Sequence, residues 1–274
     1  VYPPLVVVDG ALMSEPLLVF GVLIALLRVY RLTEAPTVRG AAALGGVVGL
    51  VTLAHTEALL LMPLLVLPAA WRPRSGRGTR TAVAITTCAV VLAPWMIRNV
   101  VVFNRLTLAT NSNTVIAGAN CRQTYYGPDI GWWRLDCNSE RRTFRELVQG
   151  DANIHPALRY ARRHLTRLPV VAAVRVLRTF SMYQPLREGN GQIRRRWFDA
   201  VGLALYYAIL LLAAVGLRRM RAWRWPLIAL ICVSLIVSVV DSGLPRLRIP
   251  ADVSLILLAA LALSGWRRGR AGAG

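Results

Sequence analysis

The residues best suited to chemistry are those that interrupt apolar sequence. Glu15 lies within the apolar run 11–27, and His55 and Glu57 break the run 40–71. Arg98 and Asn99 follow a stretch, Thr81 to Ile97, that holds no charged residue. Asp241, Arg246, Arg248 and Asp252 bracket a short polar piece between two later apolar runs, and Asp9 stands just ahead of the first run. An ionisable group at bilayer depth is costly, and a retained one usually faces a polar cavity or a partner. Carboxylates and an imidazole can pass protons, while the planar fork of arginine grips phosphate oxygens two at a time. Together these types suit an anionic lipid headgroup. The plainer alternative makes them anchors and internal ion pairs, Glu15 or Glu57 with Arg98 for example. No soluble-enzyme motif competes: the chain has no GxxxxGK phosphate loop, no GxSxG elbow and no HExxH zinc helix.

The elements that must position these residues are membrane helices. Of 274 residues, 55% are hydrophobic, and the mean hydropathy is +0.49. The formal net charge is +20, and all 33 basic residues are arginine. So basic a chain raises the question of nucleic acid. The arginines fall between apolar runs rather than in one basic domain, which argues against that partner and for topogenic charges flanking spans.

The first span is read as 11–27, ending in Arg28 and Arg31. The run 40–71 is too long for one span and too short for two of about 20 residues each. Arg28, Arg31 and Arg39 precede it, and Arg72, Arg74, Arg77 and Arg80 follow. Arginines gather on the cytoplasmic side, so both ends belong there and the run is a hairpin of two short helices turning near His55-Thr56-Glu57. Runs 81–97, 200–217 and 226–240, and a last one ending at Trp266, complete the membrane part. Arg218, Arg219, Arg221 and Arg224, and then Arg267, Arg268 and Arg270, fall on the same side as the earlier clusters. The long segment between 100 and 198 is then extracytoplasmic, and the candidate residues all reach that outer face. The chain opens on Val1-Tyr2-Pro3-Pro4 without a charged n-region, which reads as a chain lacking its N-terminal part.

Within the long segment, polar turn-forming pieces run from Asn111 to Asp129, and helices are expected after Ser139, from Pro156 and from Pro169. Leu158, Ala161, Leu165 and Leu168 fall on one stripe, with Arg159, Arg162, Arg163 and Arg167 elsewhere. That pattern suits a helix lying on the membrane or on the protein's own roof. Cys121 and Cys137, with fifteen residues between them on the oxidising side, are expected to form a disulfide. Zinc is the lesser reading, because no CxxC or paired histidines accompany them. Cys88 and Cys232 sit in apolar runs and are read as packing residues.

Six pieces carry a family resemblance: Leu12-Met13-Ser14-Glu15-Pro16-Leu17, Glu57 to Pro63, Pro94-Trp95-Met96-Ile97-Arg98-Asn99, Gly118-Ala119-Asn120-Cys121, Arg175 to Phe180, and Arg246-Leu247-Arg248-Ile249-Pro250. In this order and spacing the chain resembles the polytopic GT-C glycosyltransferases, in the bacterial branch similar to protein O-mannosyltransferases and aminoarabinose transferases. The resemblance implies an integral membrane enzyme that takes a sugar from a polyprenyl-phosphate donor. It would pass the sugar, on the extracytoplasmic face, to a protein, lipid or glycan hydroxyl by inverting substitution, with a carboxylate as base and the lipid phosphate leaving.

Three features depart from the family pattern. The family's catalytic Asp lies in a first outer loop, upstream of the Ser-Glu-Pro region, so the general base is expected upstream of Val1. His55 stands where the hairpin turn usually carries Arg, and Leu247 replaces an aromatic between two arginines.

The expected fold is therefore an all-α polytopic membrane protein with about four full spans, a short hairpin at 40–71 and an extracytoplasmic loop domain of about 100 residues. Membrane helices occupy 1–99, the loop domain 100–198, and the C-terminal helices and cytoplasmic tail 199–274. Expected substrate contacts are Glu15, His55, Glu57, Arg98, Asn99, Arg246 and Arg248, with no metal and no certain cofactor beyond the donor lipid. The two hydrophobic partners are the bilayer and that lipid. The alternative is a non-catalytic transporter or accessory subunit for lipid-linked glycans.

Before Pro250 the chain is expected to be extended or turning, since proline disfavours a helical residue ahead of it. Arg246 and Arg248 then point apart, Arg248 to the donor phosphate and Arg246 to a carboxylate.

Overall fold

A computed structural model describes residues 14–72, 75–109, 112–138, 154–185, 196–220 and 222–271. The described residues contain helices and no strand. Among the described residues, four helical stretches are long and apolar enough to cross a membrane: Glu15–Glu34, Arg77–Phe103, Asp199–Arg219 and Pro245–Ser264. The chain divides into two compact units. One comprises Val1–Trp95, Leu186–Val233 and Ile249–Gly274, the other Met96–Pro185 and Ser234–Arg248.

In the first unit, α1 (Glu15–Glu34) buries Leu18, Val22, Ala25, Leu26, Val29 and Leu32. That spacing of three and four puts them on one helical face. Leu17, Phe20 and Leu27 are each more than 60% exposed, the pattern of a helix with a lipid-facing side. The helix ends because Pro36 biases Ala35 out of the helical region. Thr37 then caps α2 (Val38–Ala54), its hydroxyl accepting from the Gly40 N–H at 3.0 Å. At His55 the chain becomes extended, and a 3-10 turn (Thr56–Leu60), a π-turn (Met62–Val66) and α3 (Leu67–Trp71) complete the hairpin. Pro63 and Pro68 lack N–H donors, which accounts for the departure from regular α geometry. The Trp225 indole N–H anchors the hairpin by donating to the Leu64 carbonyl at 2.6 Å.

Next, α4 (Arg77–Phe103) crosses from the first unit into the second. Gly45 of α2 meets it so closely that a Cβ there would overlap the Ala84 carbonyl. A second close pair is formed by α9 (Arg196–Arg219) and α11 (Ile249–Ala271), where Gly216 lies on the Leu258 carbonyl. Without a hydrophobic force between helices in lipid, small residues at such crossings supply the contact area.

The second unit contains the end of α4, α5 (Ser112–Ala119), α6 (Arg122–Tyr125), α7 (His155–Arg163), α8 (Leu168–Thr179), the end of α10 (Trp225–Val240) and a 3-10 turn, Pro245–Arg248. Its core is Tyr125, Ile130 and Val171, with Tyr160, Ala161, Leu168, Val174 and Tyr183 packed against them.

Several expectations change. Arg98 and Asn99 lie inside α4, which runs on to Phe103 and stops where Asn104 turns left-handed at φ +52°. Apolar Val100 to Phe103 prolong the helix past Arg98 and Asn99. The polar stretch from Ser112 to Ala119 is helix, not turn. Leu165 is 62% exposed, because the chain tightens to 3-10 geometry at Leu165–Arg167 and shifts the helical stripe. Ile249 and Pro250 begin α11 as its first two residues, where proline is tolerated, and before them the chain makes the 3-10 turn Pro245–Arg248, the turning rather than the extended form expected there. The run 226–240 forms a helix of 16 residues, about 24 Å long, short of a hydrocarbon core of about 30 Å. Asp9 and the helix expected after Ser139 lie outside the described residues.

Candidate functional site

The hairpin turn gathers one group of candidates within the first unit. Because α2 ends at His55, the imidazole reaches back towards the head of α1. His55 Nε2 lies 3.0 Å from Ser14 Oγ and 4.0 Å from Glu15 Oε2. Its Nδ1 lies 3.2 Å from Glu57 Oε1, and the Thr56 hydroxyl donates to Glu57 Oε2 at 3.4 Å. Glu15 is only 3% exposed, while Ser14 opens to the surface. A buried carboxylate needs a partner. For Glu15 and Glu57 the ion-pair partner found at these distances is His55. The arrangement can hold or transfer a proton between an imidazole, two carboxylates and a hydroxyl.

The remaining candidates belong to the second unit. Arg98 is exposed, donates to Asn99 Oδ1 at 3.0 Å and lies over the Phe103 ring. Asn99 is fully buried and donates to the Thr107 carbonyl at 2.8 Å, tying down the chain that leaves α4. Arg246 is exposed on the 3-10 turn. Arg248, two residues on, is 5% exposed and donates to Ser181 Oγ at 2.6 Å and the Thr179 carbonyl at 3.4 Å. The two arginines differ in surroundings: Arg248 braces the protein, while Arg246 is exposed. Asp241 accepts from the Ser242 hydroxyl at 2.9 Å.

Two arginines that the sequence reading left without a site role organise this unit. Arg175 and Arg178 stand one helical turn apart on α8 and are almost wholly buried. Arg175 donates to the Val239 carbonyl at 2.9 Å and also to the Ala119 carbonyl and Asn120 Oδ1. Arg178 donates to the carbonyls of Ile130 at 2.6 Å and Pro128 at 2.8 Å, with Trp132 and Tyr183 against its guanidinium. Burial pushes Arg175 below the ordinary arginine value, and Tyr125 and Asp241 draw it back up. Burial likewise raises Tyr125, opposed by the Arg175 charge, and the phenol donates to Asn120 Oδ1 at 2.9 Å. The available signal was a pair of arginines at i and i+3 in a helix otherwise apolar, LPVVAAVRVLRT.

Beside this network, the Tyr160 ring stacks on His164 with centroids 4.1 Å apart, and Arg167 lies over Tyr126. Cys121 and Cys137 are joined by a disulfide with Cα atoms 5.8 Å apart, while Cys88 and Cys232 are free. Closing a loop of this length restrains the unfolded chain by about 3 kcal/mol. Replacing both cysteines by serine should therefore lower the stability of the full chain in detergent by about that amount. Thermal unfolding followed by tryptophan emission measures it, and peptide mass spectrometry without reductant identifies the bridge. Among the described residues, no group of three or more His, Cys, Asp or Glu side chains could hold a metal ion. Compared with family models, characterised proteins and solved structures, the chain matches none.

Proposed function

We infer that this chain is a membrane glycosyltransferase of the polyprenyl-phosphate-sugar-dependent kind, acting on the extracytoplasmic face. The observation that carries the reading is the Glu15–His55–Glu57 group, with Glu15 buried and His55 and Glu57 half-buried, in a unit containing helices of membrane-crossing length. Such groups are retained in lipid-embedded folds at a cost, and usually for a function. The six sequence pieces resembling GT-C enzymes point the same way. In this reading the phosphate of the donor lipid is met by exposed arginine, Arg98 or Arg246. Asn99 and Arg248 support these contacts through the backbone they hold. The arginine clusters put the short connections in the cytoplasm and the long segment outside. The acceptor is a protein, lipid or glycan hydroxyl.

Transfer from a radiolabelled polyprenyl-phosphate hexose by the full-length protein in liposomes tests this. Turnover should release polyprenyl phosphate. Arg246→Ala should lower the rate tenfold to a hundredfold, about 1.5–3 kcal/mol for a lost charged contact. Arg246→Lys should recover only part, since the fork is lost. A second reading, a transporter or accessory subunit for lipid-linked glycans, rests on the same membrane helices. It predicts that the lipid-linked sugar crosses the bilayer intact with no polyprenyl phosphate released.

A further inference from the structure

A serine at the head of a helix ordinarily accepts a hydrogen bond from a backbone N–H of the first turn. Ser14 makes no such cap, and its Oγ is turned to His55 Nε2 at 3.0 Å. Across the imidazole, Nδ1 lies 3.2 Å from Glu57 Oε1. An ionised carboxylate only accepts, so Nδ1 carries the proton and Nε2 presents its lone pair to the Ser14 hydroxyl. Hydroxyl, imidazole and orienting carboxylate thus stand in the order that activates a serine nucleophile. The fit has a local cause: the break in α2 at His55 and the following 3-10 turn place Glu57 and the imidazole on the same turn.

We propose that Ser14, His55 and Glu57 form a reactive centre in which Ser14 Oγ is the nucleophile toward uncharged carboxylic esters. Oγ attacks the ester carbonyl carbon as its proton passes to His55 Nε2. The bond from that carbon to the alcohol oxygen then breaks, and the imidazolium returns the proton to the departing alkoxide. A water molecule, deprotonated by the same Nε2, attacks the acyl-serine and restores the hydroxyl, releasing the carboxylic acid. Glu57 holds the imidazole in the required tautomer. Glu15 Oε2 lies 4.0 Å from Nε2. The two carboxylates repel anionic substrates, which is why the centre favours a neutral ester over a phosphate ester. This activity does not rest on glycosyl transfer, and its test reads Ser14 directly.

The probe is an uncharged alkyl fluorophosphonate, applied to the full chain in detergent. Ser14 Oγ displaces fluoride at phosphorus, and the adduct is located by peptide mass spectrometry. The expected result is modification at Ser14, with its rate lowered about a hundredfold or more in His55→Gln and at least about tenfold in Glu57→Gln. The adduct on that peptide should be absent in Ser14→Ala. Each variant is first shown to unfold at the wild-type temperature, and Glu57→Gln, which keeps shape and hydrogen bonding, serves if His55→Gln does not. No adduct at Ser14 in the wild type overturns the proposal. So does modification at an unchanged rate in the folded variants, which would make Ser14 an exposed hydroxyl held by a structural tie.

Discussion

Replacing Arg178 with Leu should unfold the second unit at a much lower temperature than the wild type. The side chain is fully buried, and it holds two loop carbonyls, Ile130 and Pro128, that no nearby strand or helix ladder serves. Leucine matches much of the apolar stem but donates nothing. Each orphaned carbonyl costs about 1–3 kcal/mol, and the contact with Trp132 and Tyr183 is worth about 1–2 kcal/mol when dry. Relief from burying a charge offsets part of this. A net loss of about 3–5 kcal/mol remains. For a chain of this size that corresponds to a fall of about 10 °C. Tryptophan emission is the appropriate readout, because Trp132 lies directly against the guanidinium. Arg178→Lys should recover little, since one ammonium cannot serve both carbonyls in the fork geometry. A midpoint within about 2 °C of wild type for Arg178→Leu would show that the loop is held by other contacts.

Gly216→Leu should separate the α9–α11 pair. A Cβ at position 216 would overlap the backbone of Leu258, and backbone cannot swing aside as a flexible side chain can. The helices must move apart, and contact is lost along their whole length, including the Arg219 bond to the Ala262 carbonyl at 3.2 Å. Overpacking of this kind costs about 1–3 kcal/mol even where neighbours adjust, and here the strained neighbour is main chain. The control lies in α2, where a Cβ at Gly46 meets nothing within 4 Å. Gly46→Ala should be neutral or slightly stabilising, since alanine lowers the entropy of the unfolded chain. Thermal unfolding of the three proteins in one detergent decides it. Equal midpoints for Gly216→Leu and wild type would mean that this crossing is not tight.

Much of the architecture was legible because burial in lipid leaves a coarse signature. Runs such as 81–97 and 200–217 are apolar over the length a bilayer demands, and backbone groups there must pair within a helix. Helix starts at Pro156 and Pro169 were readable to within a residue, since proline suits the first turn. The break at His55-Thr56-Glu57 showed as polar residues inside an apolar run. The sequence also marked Cys121 and Cys137 as a pair by compartment and spacing.

Side-chain partners were another matter, because hydropathy and charge are properties of position along the chain, whereas a hydrogen bond depends on where distant backbone carbonyls end up. Nothing in the order of residues says that Arg178 meets Ile130, 48 positions away, or that Ser14 meets His55, 41 away. The same limit applies to Arg246 and Arg248. Their spacing implied that they diverge, but only the packing of Ser181 and Thr179 decided which one is consumed inside the protein. The sequence by itself determined that the chain is helical, membrane-like in composition and marked by a few costly ionisable residues. Tertiary structure decided which of those residues share a hydrogen bond, because burial makes partner choice a matter of the nearest unsatisfied group.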